Sequence, residues 1–136
     1  MNTFTLLLRA AQHEQRIEGV SAFIGEDASG SFGLLARHAR FLTALEFGLA
    51  RFRVGEEPWR YLAVPRALVY FVDNQLTLTT RHYVLDDDYE RISRTLQEEL
   101  LAEEQALRSV RNSLRIMEEY LLKRLWQVGR QMRSPA

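Results

Sequence analysis

The first 84 residues alternate short apolar runs with turn residues. The clearest runs are TFTLLLR (3–9), VSAFIG (20–25), LARFRV (49–54), WRYLAV (59–64), ALVYFV (67–72) and QLTLTT (75–80). In the last of these, Leu76 and Leu78 alternate with Thr77 and Thr79. That is the period of a strand with one face buried. Asp73 and Asn74 lie between two such runs, and both tolerate left-handed backbone, which predicts a hairpin turn. Gly55 and Pro58 mark another turn. Many short strands at regular spacing predict a β-sandwich or barrel over residues 1–84.

The pattern changes at LDDDYE. Residues 86–128 contain no glycine and no proline and are rich in Glu, Leu, Arg and Gln, all good helix formers. Asp86, Asp87 and Asp88 suit a helix N-terminus, and Gly129 suits a C-terminal cap with Pro135 beyond it. The apolar positions Tyr89, Ile92, Leu96, Leu100, Leu107, Val110, Leu114, Met117, Leu121, Leu125 and Val128 fall within about a third of the helix circumference at about 100° per residue. They predict an α-helical region over 85–136. One continuous helix of about 60–65 Å and a hairpin turning near Ala102–Ala106 both fit. The hairpin draws support from charge. Residues 85–104 carry eight acids and two bases, whereas residues 105–136 carry seven bases and two acids. Exposed ion pairs are individually weak, so charge leaves both forms open. Either form leaves an apolar stripe that needs a cover: the β-domain, the helix's other half, or a partner.

Composition narrows the chemistry. The chain has 136 residues, 46% of them hydrophobic, enough to build a core. Its 18 basic and 18 acidic residues balance, which argues against a general nucleic-acid binder. There is no cysteine, so disulfides and thiolate metal sites are excluded. His13, His38 and His82 do not fall at metal-ligand spacing, and no metal site is expected. No phosphate-binding glycine loop or nucleophile elbow occurs. The first fifteen residues lack the charged start of a signal peptide, and no apolar run approaches membrane-span length. The acids of LDDDYERI could hold Mg²⁺ or, with an arginine, a nucleotide; the simpler reading is a helix start. These features predict a non-enzymatic protein that forms part of an assembly.

The stretch GSFGLLARHARFLTAL (30–45) stands apart. It reads as a turn from Gly30 to Gly33, an exposed basic strip at Arg37, His38 and Arg40, and a buried return strand from Phe41 to Leu45. With its continuation EFGLARF it resembles the most characteristic segment of the epsilon subunit of bacterial F-type ATP synthases. Gly30, Gly33, Leu34, His38, Ala39, Leu42, Thr43, Ala44, Leu45 and Gly48 match that family's pattern. The order of parts matches along nearly the whole chain. Three departures stand out. Ala36-Arg37 replace a Pro-Gly, Arg40 replaces a proline, and Pro65-Arg66-Ala67 replace a Ser-Gly-Gly. They put the family's backbone kinks in question and predict a surface read by charge more than by backbone shape. They also suit the divergent, sodium-linked N-type branch.

The resemblance implies a non-catalytic rotor component on the cytoplasmic face of the membrane, peripheral to it and not spanning it. Its sandwich would bind the gamma subunit and sit on the c-ring loops, with Ser31, Phe32, Arg37, His38 and Arg40 as contact candidates. Its helical region would regulate ATP hydrolysis by meeting the catalytic beta subunits through Arg111, Arg115, Lys123 and Arg124. Some members bind regulatory ATP through Asp-x-x-Arg-Ala. Asp88 and Arg91 match that motif, but Ile92 and Asp87 depart from it, which weighs against a bound nucleotide. No cofactor is therefore expected. A different class of protein, an adaptor dimerising through its helix stripe, stays open as the rival.

Overall fold

The computed structural model describes residues 2–132; Arg133 and Pro135 lie outside the described residues. Among the described residues nine strands form: β1 (Phe4–Ala10), β2 (His13–Asp27), β3 (Gly30–Leu35), β4 (Phe41–Leu45), β5 (Gly48–Val54), β6 (Arg60–Val64), β7 (Ala67–Val72), β8 (Gln75–Thr80) and β9 (Val84–Asp86). They pair in the order β4-β7-β8-β1-β2-β5-β6-β9, and β3 joins β2. The β1–β8 ladder is parallel; the others are antiparallel.

The 15-residue β2 turns this series of ladders into a sandwich. Its first half pairs with β1, and its second half with β3 and β5. The change of layer falls where both ladders slip register. Gly19 takes φ +73, and the Ser21 hydroxyl donates to the carbonyls of Arg53 and Gly55. An irregularity of this kind bends a strand and increases its twist. Between the layers lies a core that includes Leu6, Leu8, Val20, Phe23, Leu34, Phe52, Leu62, Phe71, Leu76 and Leu78, all essentially inaccessible. The alternation expected in β8 holds: Leu76 and Leu78 are buried, and Thr79 faces out. Asp73 and Asn74 make the expected turn with φ +50 and +60.

The stretch 30–45 departs from its expected layout. Gly30–Leu35 is a strand, and the turn precedes it at Asp27–Gly30. Asp27 closes that turn by accepting from the Ser29 amide and hydroxyl. In β4 only Leu45 is fully buried, because this edge strand keeps Leu42 and Ala44 outside.

The helical backbone runs unbroken through α1 (Tyr89–Thr95), a π-helical segment (Leu96–Leu100) and α2 (Leu101–Met132). The hairpin does not form. LLAEEQALR offers no turn residue, and attraction between exposed charges is too weak to offset breaking a helix. Gly129 does not cap, since α2 continues past it. Asp88 alone of the three aspartates caps, and Asp86 belongs to β9. Ile92 and Leu100 are fully buried beside Ala63 on the outer side of β6, with Leu49, Tyr61, Val84 and Leu96 around them. This strand is thus covered on both faces: Leu62 and Val64 point into the main core, Ala63 toward the helix. The chain accordingly divides into a compact unit ending at Leu101 and a helical unit from Ala102 onward. In the helical unit Val110, Leu114, Met117, Leu121, Leu125 and Val128 are 52–67% exposed.

Candidate functional site

One end of the sandwich gathers the β3–β4 connection, the β7–β8 turn and the start of β1. Leu35–His38 form a tight turn in which the His38 N–H donates to the Leu35 carbonyl at 3.2 Å. Arg37, third in that turn, takes φ +65. A side chain in this region costs about 1–2 kcal/mol, and the resembling family places glycine there. The turn thus holds a charged, non-glycine residue in a left-handed conformation.

The Arg37 amide donates to Asn74 Oδ1 at 2.7 Å, and Asn74 Nδ2 donates to the Thr3 carbonyl at 2.8 Å. The His38 ring stands edge-on to Phe41 and Phe71, with centroids 5.6 and 5.9 Å apart. Its Nδ1 lies 2.7 Å from the Ala39 carbonyl oxygen. Arg37, His38 and Arg40 are all exposed. Phe32 is half-buried, 5.2 Å from Phe41, and supports this end from beneath. Ser31 is not part of it. It lies toward the opposite end of β3, paired with Glu26, and lines a separate cleft of about 360 Å³ with Arg51, Tyr61 and Tyr89. Beside that cleft Arg51 and Arg53 stack on Trp59 at 4.7 and 5.7 Å.

The Asp88–Arg91 pair is engaged within the chain. Asp88 Oδ1 accepts the Arg91 amide at 3.1 Å as the helix N-cap. The Arg91 side chain binds Asp86, with Nε on Oδ2 at 2.6 Å and Nη2 on Oδ1 at 2.5 Å. That grip, followed by the Asp88 amide, holds the Asp86 carboxyl well below the usual carboxylate range. In turn it raises Arg91 above the usual guanidinium range. The pair ties β9 to the start of α1. Asp86 does not stand out as the partner in the sequence, where three adjacent aspartates look alike as helix caps.

Along α2, Arg111, Arg115, Lys123 and Arg124 are exposed, and Arg111 lies 3.9 Å from Glu104. The guanidinium of Arg130 stacks on Trp126 at 5.1 Å. Among the described residues no cluster of three or more metal-binding side chains occurs. No described helix is long and apolar enough to cross a membrane.

Known proteins place this architecture. The family model of the ATP synthase delta/epsilon chain β-sandwich domain matches residues 3–86. The chain is 37% identical over 95 residues to ATP synthase epsilon chain 2 of Cereibacter sphaeroides, covering 69% of this chain. It spans 65% of that relative's length. A chain of the Euglena gracilis mitochondrial ATP synthase OSCP/F1/c-ring structure superposes with a TM-score of 0.58 at 17% identity, covering 72% of this chain and 64% of that one. A chain of the Tetrahymena thermophila mitochondrial ATP synthase central stalk/c-ring gives 0.53 at 16% identity, covering 88% and 96%. At such identities the likeness is one of fold. With the family model spanning the whole sandwich, this chain belongs to the ATP synthase delta/epsilon family.

Proposed function

We propose that the chain is the epsilon subunit in the central stalk of a rotary F-type ATP synthase or ATPase, peripheral on the cytoplasmic face. Its sandwich links the gamma subunit to the c-ring loops, and the basic end at Arg37, His38 and Arg40 makes the c-ring contact. Phe32 backs that contact, and Ser31 belongs to the separate cleft. The helix regulates ATP hydrolysis, with Arg111, Arg115, Lys123 and Arg124 meeting the catalytic beta subunits while the apolar stripe packs on them. No cofactor is assigned. Asp88 and Arg91 act as a clamp on the helix start.

The observation that carries this reading is the family match over residues 3–86, joined to an exposed basic turn whose backbone is fixed. The departures at Arg37 and Arg40 favour the divergent sodium-linked branch.

The test is co-purification with gamma and the c-ring, followed by coupling in the reconstituted complex. Arg37→Ala with Arg40→Ala is the informative variant, because His38 also packs on two phenylalanines. Unchanged coupling would remove the contact assignment. For regulation, the chain should be cut after Leu101, which keeps Ile92 and Leu100 in place. Hydrolysis by the whole complex should rise; no rise would remove the inhibitory role. A stable dimer of the isolated chain with no affinity for gamma would favour the adaptor instead.

A further inference from the structure

We propose that Asn74, on the β7–β8 turn, is a positioning residue for the basic Arg37–Arg40 turn and sets how that turn meets its partner. The proposal rests on the c-ring contact proposed above. Asn74 is 37 residues from Arg37 in sequence and meets it only in the fold.

The position makes three demands at once. Its backbone is left-handed, φ +60, which most side chains resist and asparagine tolerates. An acceptor must reach the Arg37 N–H, and Oδ1 does so at 2.7 Å. A donor must reach the Thr3 carbonyl, and Nδ2 does so at 2.8 Å. A carboxamide carries both donor and acceptor; aspartate keeps only the acceptor, and glycine keeps only the backbone freedom. The Asn74 carbonyl also takes the Thr5 amide at 3.3 Å. One residue thus ties the contact turn to the start of β1. The bond matters because Arg37 occupies a left-handed conformation without being glycine. An arginine there drifts toward right-handed backbone unless its amide is held, and that drift would re-aim its guanidinium. Holding a recognition turn in its bound shape lowers the entropic cost of binding.

The test uses the full-length chain in three forms: Asn74→Gly, Asn74→Asp and the Arg37→Ala/Arg40→Ala pair. Amide hydrogen exchange of the free chain is measured first. In Asn74→Gly the Arg37 amide should exchange about tenfold faster, while the β7–β8 ladder changes less than about twofold. Affinity for a detergent-purified gamma–c-ring subcomplex is measured second. Asn74→Gly should weaken it about tenfold, and Asn74→Asp, which keeps the acceptor, less than about threefold. An unchanged Arg37 amide overturns the proposal. So does full affinity in Asn74→Gly when the arginine pair has lost affinity. If the arginine pair also binds normally, the c-ring contact is what fails, and the exchange result alone decides whether Asn74 holds the turn.

Discussion

The guanidinium of Arg91 grips both carboxylate oxygens of Asp86, at 2.6 and 2.5 Å, across the junction where β9 ends and the helix begins. Two parallel charge-assisted bonds fix orientation as well as distance. Asp86 is largely covered, its side chain 12% exposed, while Arg91 is 59% exposed. The strand and the helix start are therefore linked by a pair that pH can break.

The sign of that dependence follows from the carboxyl. A carboxyl whose folded pKa is depressed stabilises the protein above its unfolded value, about 3.9, and that stability is lost as pH falls through the folded value. Asp86 is depressed by Arg91. Asp27 is depressed by the Ser29 hydroxyl and then by Thr43, whose hydroxyl bonds it at 2.7 Å. Stability should be flat from neutral pH to about 4 and fall below it. In Asp86→Asn and in Asp27→Asn, urea midpoints should be lower at pH 7, and the decline below pH 4 shallower. An unchanged acid limb in both would remove this account.

Arg37→Gly separates shape from charge. It should raise stability by about 1 kcal/mol by relieving the left-handed conformation, while weakening capture of the gamma–c-ring subcomplex through loss of the cation. Thermal melts and pull-down then move in opposite directions. Loss of both stability and binding would show that the arginine stem packs in the turn.

Gly25 lies inside the sandwich. A Cβ there would sit 2.8 Å from Leu45 Cδ2, 2.9 Å from Phe32 Cζ and 3.2 Å from Phe23 Cε1. Phe23 and Leu45 are buried and cannot swing away freely. Gly25→Ala should cost about 1–3 kcal/mol through overpacking, read as a lower denaturant midpoint. A neutral result would mean that Phe32, the least buried of the three, gives way.

Ile92 and Leu121 both belong to the apolar pattern of the helical sequence but differ in burial. Ile92→Ala should cost about 2–5 kcal/mol, because it empties the contact beside Ala63. Leu121, 55% exposed, should change the stability of the isolated chain by less than about 0.5 kcal/mol when replaced by alanine. In the assembled complex Leu121→Ala should relax control of hydrolysis. Equal costs in the isolated chain would place Leu121 under a cover of its own.

Local chemistry was legible from the chain alone. The Leu76/Leu78 alternation, the Asp73-Asn74 turn and the glycine-free run after Asp86 each reflect preferences of neighbouring residues, which propensity and period capture. The family pattern of residues 30–48 was legible for the same reason, as a fixed order of residue types. The layout within that stretch was not. Gly30–Leu35 became a strand because β2 supplied a partner for it, and a glycine that opens a strand looks the same in sequence as one that makes a turn.

Local residue preferences thus set the division into a strand-forming half and a helix-forming half, the basic strip and the apolar stripe. Long-range packing set where β2 changes layer, that the helix stays unbroken through a π-helical segment, and that Ser31 lies toward the end of β3 away from Arg37. It alone brought Asn74 to Arg37. The physical reason is range. Turn, strand and helix preferences act over a few residues, whereas register, layer and the partner of a buried or strained amide depend on which distant segment arrives beside it. In this chain the turn that carries Arg37 keeps its shape through a side chain that no local pattern could point to.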